Sequence, residues 1–391
     1  MLSWLNIRAK LIVVLVGVGL VPLAVLGWIS VAESEVSISR EVFNHLISVR
    51  DGKKAQIERF LKRTQANIRV LADSSHIDAA LDAFSAVVRD GQVDEGQFNY
   101  FESLEYGASF RRFIAEYEYY DLMLINEIGD IVYSTRKEND FGQNVLTGPL
   151  KESLLGRAFE RGLEEVVLTD FQIYAPSGGR VMSFVLAPIG ASGATAGAVV
   201  LKMTNAALNE VMSERSGMGR TGEAYLIGPD NLMRSDTYLD PVNRNVSASF
   251  LNPAKGRIDT ISSAEALAGK TGHQIILDYR GGEVLSAYLP IKFGPITFAL
   301  MAEIDKNEAF KPIENLQHLV LVLALAIVAL MLLSAYFIAK VATQPILSLT
   351  QASIEISGGE LDQEISIAGD DELGVLSENF NKMRLPIRSK I

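Results

Sequence analysis

Apolar side chains run without interruption at two places, residues 11–31 and 319–339, and everywhere else hydrophobic and polar positions alternate on much shorter periods. Each run holds roughly 20 residues without a charge, enough at about 1.5 Å per residue to cross a hydrocarbon core of roughly 30 Å. Two membrane-spanning helices are therefore predicted, at 11–31 and 317–339, with a domain at 32–316 displayed between them. Trp4 and Trp28 lie near opposite ends of the first span, as interfacial indoles do, and Pro22 is expected to bend it. The stretch from Trp28 to Glu33 offers no good small-x-small cleavage site, so the first span reads as an uncleaved anchor.

From residue 32 to about residue 81, Val42, Leu46, Val49, Ile57, Leu61, Ile68 and Leu71 recur at three- and four-residue steps, the pattern of one long amphipathic helix. Its stripe suits both its own domain and a twin helix in a dimer. After Gly91 the pattern shifts to short β-rich runs between Gly, Pro and Asn turns, and a repeat appears at an offset of about 102 residues. The run from Leu124 to Ser134 (Leu124-Ile125-Asn126-Glu127-Ile128-Gly129-Asp130-Ile131-Val132-Tyr133-Ser134) matches that from Leu226 to Ser235 (Leu226-Ile227-Gly228-Pro229-Asp230-Asn231-Leu232-Met233-Arg234-Ser235), and Gly179-Arg180-Val181-Met182-Ser183-Phe184 matches Gly282-Glu283-Val284-Leu285-Ser286-Ala287. Two like units in tandem are predicted, at about 97–203 and 215–305.

Charge and composition narrow the function. A net charge of −11 without clustered Lys or Arg argues against a nucleic-acid partner. The absence of cysteine removes thiol catalysis, disulfides and Cys-ligated metals, and suits an extracytoplasmic location. His45, His76, His273 and His318 are scattered singly, so no metal site and no cofactor are expected. Asn245-x-Ser247 matches a glycosylation sequon, a pattern common by chance. No nucleophile, base and orienter trio is visible, so the chain is not expected to be an enzyme. Arg8 and Lys10 precede the first span and Lys340 follows the second, which places the N-terminal tail 1–10 and the C-terminal segment 340–391 in the cytoplasm.

A long helix followed by two such units resembles the double Cache sensor, a pair of PAS-like α+β modules stacked on a shared helix, as found in bacterial methyl-accepting chemotaxis receptors and sensor kinases. The most specific residues are Gly217-Met218-Gly219-Arg220-Thr221-Gly222-Glu223-Ala224-Tyr225-Leu226-Ile227-Gly228-Pro229-Asp230, with Met233-Arg234-Ser235-Asp236 and Leu285-Ser286-Ala287-Tyr288 beyond. The resemblance implies a ligand in the first, membrane-distal module. Tyr120, Asp121, Tyr133, Arg136, Asp140, Asn144, Asp170, Phe171, Tyr174 and Ser183 are the candidate ligand-binding residues. Asp170 suits an amine, and Arg136 or Arg180 a carboxylate, although a strand Tyr is more often core and an Asp more often caps a turn. The Arg-x-Trp-Tyr element of many amino-acid-binding relatives is missing, since the corresponding stretch reads Phe141-Gly142-Gln143-Asn144-Val145-Leu146.

Past the second span, Pro345-Ile346-x-x-Leu349, then Gly359-Glu360-Leu361, then Asp371-Glu372-Leu373-Gly374-x-Leu376-x-x-x-Phe380-Asn381-x-Met383 is similar to a HAMP linker. Leu373, Leu376, Phe380 and Met383 step by three, four and three, a coiled-coil seam. One helix pair cannot bury two seams, so a parallel four-helix bundle in a homodimer is expected. Pro386 is expected to interrupt the second helix. The eight residues after Met383 are too short to fold, so output requires a downstream signalling module or partner not present in this chain.

The expected architecture is thus α+β: two transmembrane helices flanking a long helix and tandem PAS-like modules, followed by an all-α HAMP domain. The expected function is a two-span inner-membrane receptor with a periplasmic sensor domain, of chemoreceptor type, binding a small molecule. The alternatives are the sensory half of a histidine kinase or nucleotide cyclase, and a ligand-independent membrane adaptor.

Overall fold

The computed structural model describes residues 7–89, 92–190, 196–358 and 372–388. The chain forms two compact units, Ile38–Phe310 and a second comprising Met1–Ser37 with Lys311–Ile391. Helix α1 (Ile7–Ala72) enters the first unit at Ile38 and buries Leu46, Ile57, Leu61, Ile68 and Ala72 there. The same stripe carries two buried cations that satisfy carbonyl groups: Arg50 donates to Gly272 and Tyr288, and Lys53 to Val211 and Glu214. The helix stops before residue 81 because Ser74 adopts an extended backbone and its hydroxyl accepts from the His76 amide, capping α2 (Ser75–Val87).

The distal module is a sheet of β1 (Asp121–Asn126), β2 (Ile131–Ser134), β3 (Val167–Leu168), β4 (Gln172–Tyr174), β5 (Arg180–Ile189) and β6 (Gly197–Met203). Its order is β2-β1-β6-β5-β3, antiparallel, with β4 on β5. Helix α3 (Leu154–Gly162) lies between β2 and β3 in sequence. Strands β1 and β6 are buried almost throughout, so their run of apolar residues serves two faces. Leu122, Leu124, Tyr133, Val199 and Leu201 pack in the cluster that contains α1 and α2 residues, whereas Met123, Ile125, Phe184, Leu186 and Val200 pack with Leu155 and Phe159 of α3.

Helix α4 (Ala206–Ser213) leads to the proximal module, made of β7 (Glu223–Ile227), helix α5 (Ile261–Leu267), β8 (Gly272–Leu277), β9 (Glu283–Phe293) and β10 (Ile296–Asp305). The sheet order is β8-β9-β10-β7, all antiparallel. Helix α5 opens with a capping box in which Thr260 and Ser263 satisfy each other's amides.

The second unit holds the apolar part of α1 and helix α6 (Lys311–Ser357), each long and apolar enough to cross a membrane. Gly19 lies against Met331, where a Cβ would collide, so the two helices approach closely there. Leu321, Val322, Leu325, Leu330 and Leu333 are more than half exposed, as lipid-facing side chains would be. Pro345 sits inside α6, and α7 (Glu372–Arg388) packs on it, burying Thr343, Leu349 and Ser377. Leu373 and Phe380 are half-buried; Ile346, Leu376 and Met383 are exposed, and Glu372 opens the helix. The backbone remains helical through Pro386 to Arg388. A proline's missing N–H there affects only the last turn. Gly359 and Leu361 lie outside the described residues.

Candidate ligand site

The distal sheet's α3-facing side ends in a cluster of charge. Along β6 the face reads Ala198, Val200, Lys202, so the alternation that buries the first two also buries the amine. Lys202 is fully buried, in register with Asp121 on β1. Its Nζ lies 2.8 Å from Asp140 Oδ2, 3.1 Å from Glu138 Oε2 and 3.4 Å from Asp121 Oδ2, with Ser177 Oγ at 3.3 Å. Burial works against the ammonium, but the charges of Asp140 and Asp121 outweigh it and hold Lys202 above its ordinary pKa. For Asp121 burial dominates instead and raises the carboxyl, against the pull of Lys202 and the Thr135 and Ser134 hydroxyls.

Aromatic and hydroxyl groups close the cluster. Tyr174 OH donates to Asp140 Oδ2 at 3.1 Å, Tyr120 OH to Glu138 Oε1 at 2.6 Å, and Ser177 Oγ to Glu138 Oε2. Ser177 reaches inward because Gly178 and Gly179 turn the chain with φ of 69° and 74°, a conformation that favours glycine. Arg136 stacks 4.0 Å from the Tyr120 ring centre and Arg180 lies 5.5 Å from it, so two cations stand at the rim.

Two buried acceptors have no partner: Asp140 Oδ1 and Gln143 Oε1. Gln143 lines a cleft of about 450 Å³ together with Asn139, Leu150, Ser153, Gln172 and Tyr174, and Asp140 adjoins it through the Tyr174 hydroxyl. One buried cation faces three carboxylates, so this cluster, which meets the cleft at Tyr174, carries an excess of acceptors.

Of the residues singled out from the sequence, Tyr120, Asp121, Arg136, Asp140 and Tyr174 come together here. The others lie elsewhere. Tyr133 is on the opposite face of the sheet among Phe84, Phe98 and Phe110, in register with Leu124 of that face, because the register shift between Leu124 and Ile125 breaks the alternation that would have kept it on the side of Ile131. Asn144 donates to Asp130 Oδ1 and the Ile128 carbonyl and shapes the turn. Ser183 donates to the Thr169 carbonyl. Asp170 is bound to Arg234 and Phe171 stacks toward Phe293, both in the proximal module. Lys202 and Glu138 were not foreseen, while Ser177 closes the run from Asp170 that the sequence offers as a ligand cluster. A single lysine inside the apolar strand Gly197–Met203 was the available signal.

Paired α/β modules on a long helix, with two candidate spans and a two-helix linker, are the layout of a sensor domain joined to a signalling linker. The chain belongs to the Cache domain family, whose model matches residues 34–313, and a HAMP domain model matches 337–385. The sensor protein kinase WalK of Staphylococcus aureus strains JH9 and Newman is 24% identical over 179 residues, 45% of this chain and 28% of each relative. The match thus spans under a third of those relatives' length. Among solved structures, the ligand-binding domain of the Campylobacter jejuni chemoreceptor Tlp3 with 4-methylisoleucine is 12% identical, with a TM-score of 0.49, covering 71% of this chain and 95% of that one. The sensor domain of the V. cholerae histidine kinase DctB is 12% identical, with a TM-score of 0.46, covering 67% and 97%.

Proposed function

We propose that this chain is the sensory and linker part of a two-span inner-membrane receptor, its Cache domain in the periplasm, and that the distal module binds a small polar solute rich in hydrogen-bond donors. The observation that carries this reading is a cleft of ligand size lined by Gln143, whose buried Oε1 has no partner, and by Tyr174, which holds Asp140 with its own unpartnered Oδ1. An ammonium group, with three N–H donors, could serve both acceptors, and a hydroxyl, with one, either of them. The rim cations Arg136 and Arg180 would suit a carboxylate on the same solute. The signal passes to the HAMP helices, where the exposed seam residues Leu376 and Met383 support a homodimer. Output then belongs to a downstream module, of chemoreceptor type in the leading reading; the stretch shared with WalK favours a sensor kinase as the second.

The test is calorimetric titration of the full chain in detergent against a panel of amino acids, amines and polyols. A saturable ligand whose affinity drops more than about tenfold, or roughly 1.4 kcal/mol, in Asp140→Asn supports the assignment. A ligand that binds Asp140→Asn and Gln143→Ala as tightly as wild type would refute it.

A further inference from the structure

The two sheets follow one plan, and their comparison exposes an unbalanced position in the second. In the distal module Asp121 at the start of β1 faces Lys202 on β6 in register. In the proximal module Glu223 at the start of β7 faces Glu303 on β10 in register. Each is the same crossing of a module's first and last long strands. Where the distal crossing sets acid against base, the proximal one sets acid against acid.

Both proximal carboxylates are buried, each 2% exposed. Glu223 is well supplied: Oε2 accepts from the amides of Tyr238 at 2.9 Å and Leu239 at 3.1 Å, and Oε1 from Tyr279 OH at 2.6 Å. Glu303 receives only Tyr225 OH, at 2.8 Å on Oε2, and its Oε1 has no partner. Ser286 stands in register with Glu303 on β9 and so shares its face of the sheet; it is fully buried and its Oγ has no partner either. Orphaned oxygens are rare in a folded interior; the Ser286 hydroxyl is close enough to hold the Glu303 pKa down, yet neither oxygen has a partner of good hydrogen-bond geometry.

The nearby cations are engaged elsewhere. Arg280 pairs with Asp278 and Asp305, and Arg244 with Asp240. Arg215 donates to the carbonyls of Gly219, Arg220 and Gly222 and stacks 3.4 Å from the Tyr238 ring centre. Among the described residues no cation forms an ion pair with Glu223 or Glu303. A cavity of about 470 Å³, lined by Arg215, Glu223, Asp236, Thr237 and Tyr238 among others, reaches the first of these carboxylates.

We propose that the proximal module holds a second ligand site, for a small protonated primary amine whose ammonium group sits between Glu223, Glu303 and Ser286, in the place that Lys202 Nζ takes in the distal module. Lys202 shows what that place requires: carboxylates, a serine hydroxyl at 3.3 Å from Nζ, and the Tyr174 ring centre 5.2 Å away. The proximal set supplies two carboxylates, Ser286 Oγ, and the rings of Tyr225 and Tyr279. Three N–H donors of an ammonium match Glu303 Oε1, Ser286 Oγ and Glu223. The unneutralised state is costly, as burial pushes the Glu303 carboxyl up to about 7 against the Ser286 and Tyr225 hydroxyls, with Glu223 and Asp278 adding to the rise. Strand β10 is the last before α6, so an amine held there acts on the segment that leads to the second span.

The experiment follows thermal unfolding of the full chain in detergent, above neutral pH, with ethanolamine, methylamine or putrescine, against sodium, potassium and tetramethylammonium chlorides at matched ionic strength. The expected result, read in the Asp140→Asn background so that the distal acceptor is removed, is a saturable rise in Tm with at least one primary amine. The rise should be absent when Glu303→Gln is added, and with Ser286→Ala it should require about tenfold more amine. In that background an amine effect retained on adding Glu303→Gln, or reproduced by the salts, overturns the proposal. So does a folded wild type that no primary amine stabilises.

Discussion

Asp170 and Arg234 form a two-pronged ion pair between the modules: Nε reaches Oδ1 and Nη2 reaches Oδ2, each at 2.7 Å. The guanidinium is 1% exposed and also reaches Asp230 and the Leu232 carbonyl. Gly228 makes this possible, because a Cβ at that position would overlap the guanidinium. Asp170 lies between β3 and β4, and β4 ends in Tyr174, which lines the distal cleft and holds Asp140. The pair therefore connects the wall of the distal cleft to the module that precedes the second candidate span.

Removing Asp170 leaves a buried guanidinium short of its partner. Asp170→Ala should destabilise the full chain by about 3–5 kcal/mol, and adding Arg234→Met should recover most of it. Denaturant unfolding of the four members of this cycle measures the coupling. A coupling energy near zero would show the two modules held together by their apolar contacts alone.

Lys202→Met is expected to be among the most damaging single changes in the distal module, because Asp121 and Asp140 are fully buried beside it. Loss of about 3–5 kcal/mol is expected near neutral pH. The variant should gain stability on acidification, as the stranded carboxyls take up protons. A Tm that falls with pH as steeply as in wild type would contradict the arrangement.

Glu303 gives the opposite titration to an ordinary salt-bridged acid. Its ordinary value is 4.5 and burial raises it to about 7, so the folded state binds more protons between those limits. Without bound amine, its contribution to stability is full below about 4.5 and is lost as pH rises through about 7. Asp121 and Glu223 are raised as well and share this sign. The difference between wild type and Glu303→Gln isolates the one group. Parallel Tm–pH curves for the two proteins would exclude a titrating Glu303.

In the second unit Leu376 is 43% exposed and Met383 is 47% exposed, seam positions with room for a twin helix. Single Cys substitutions at these two sites should cross-link efficiently in membranes, whereas Cys at the outward-facing Glu378 should not. Equal yields at all three would speak against a parallel bundle.

Some expectations read from periodicity describe what each strand and helix can bury. The apolar spans, the three- and four-residue stripe of α1 and the repeat offset each depend on residues close in sequence. That is why Leu46, Ile57, Leu61 and Ile68 were legible as one buried face. The helix break was less legible, since Ser74 caps α2 through a local amide contact that no apolar pattern announces.

The sequence by itself determined the order of parts, the α+β character and the family, because periodicity and turn chemistry act over a few residues. Only the tertiary structure decided which polar groups meet. Tyr133 and Asp121 both lie on the β1–β2 hairpin, yet the pleat sends one to the aromatic core and the other to Lys202, 81 positions along the chain in register. Asp170 was claimed by Arg234 from the neighbouring module, and Glu303 was set against Glu223 rather than against a base. Such pairings depend on strand order and register across the whole sheet, and a linear pattern holds neither.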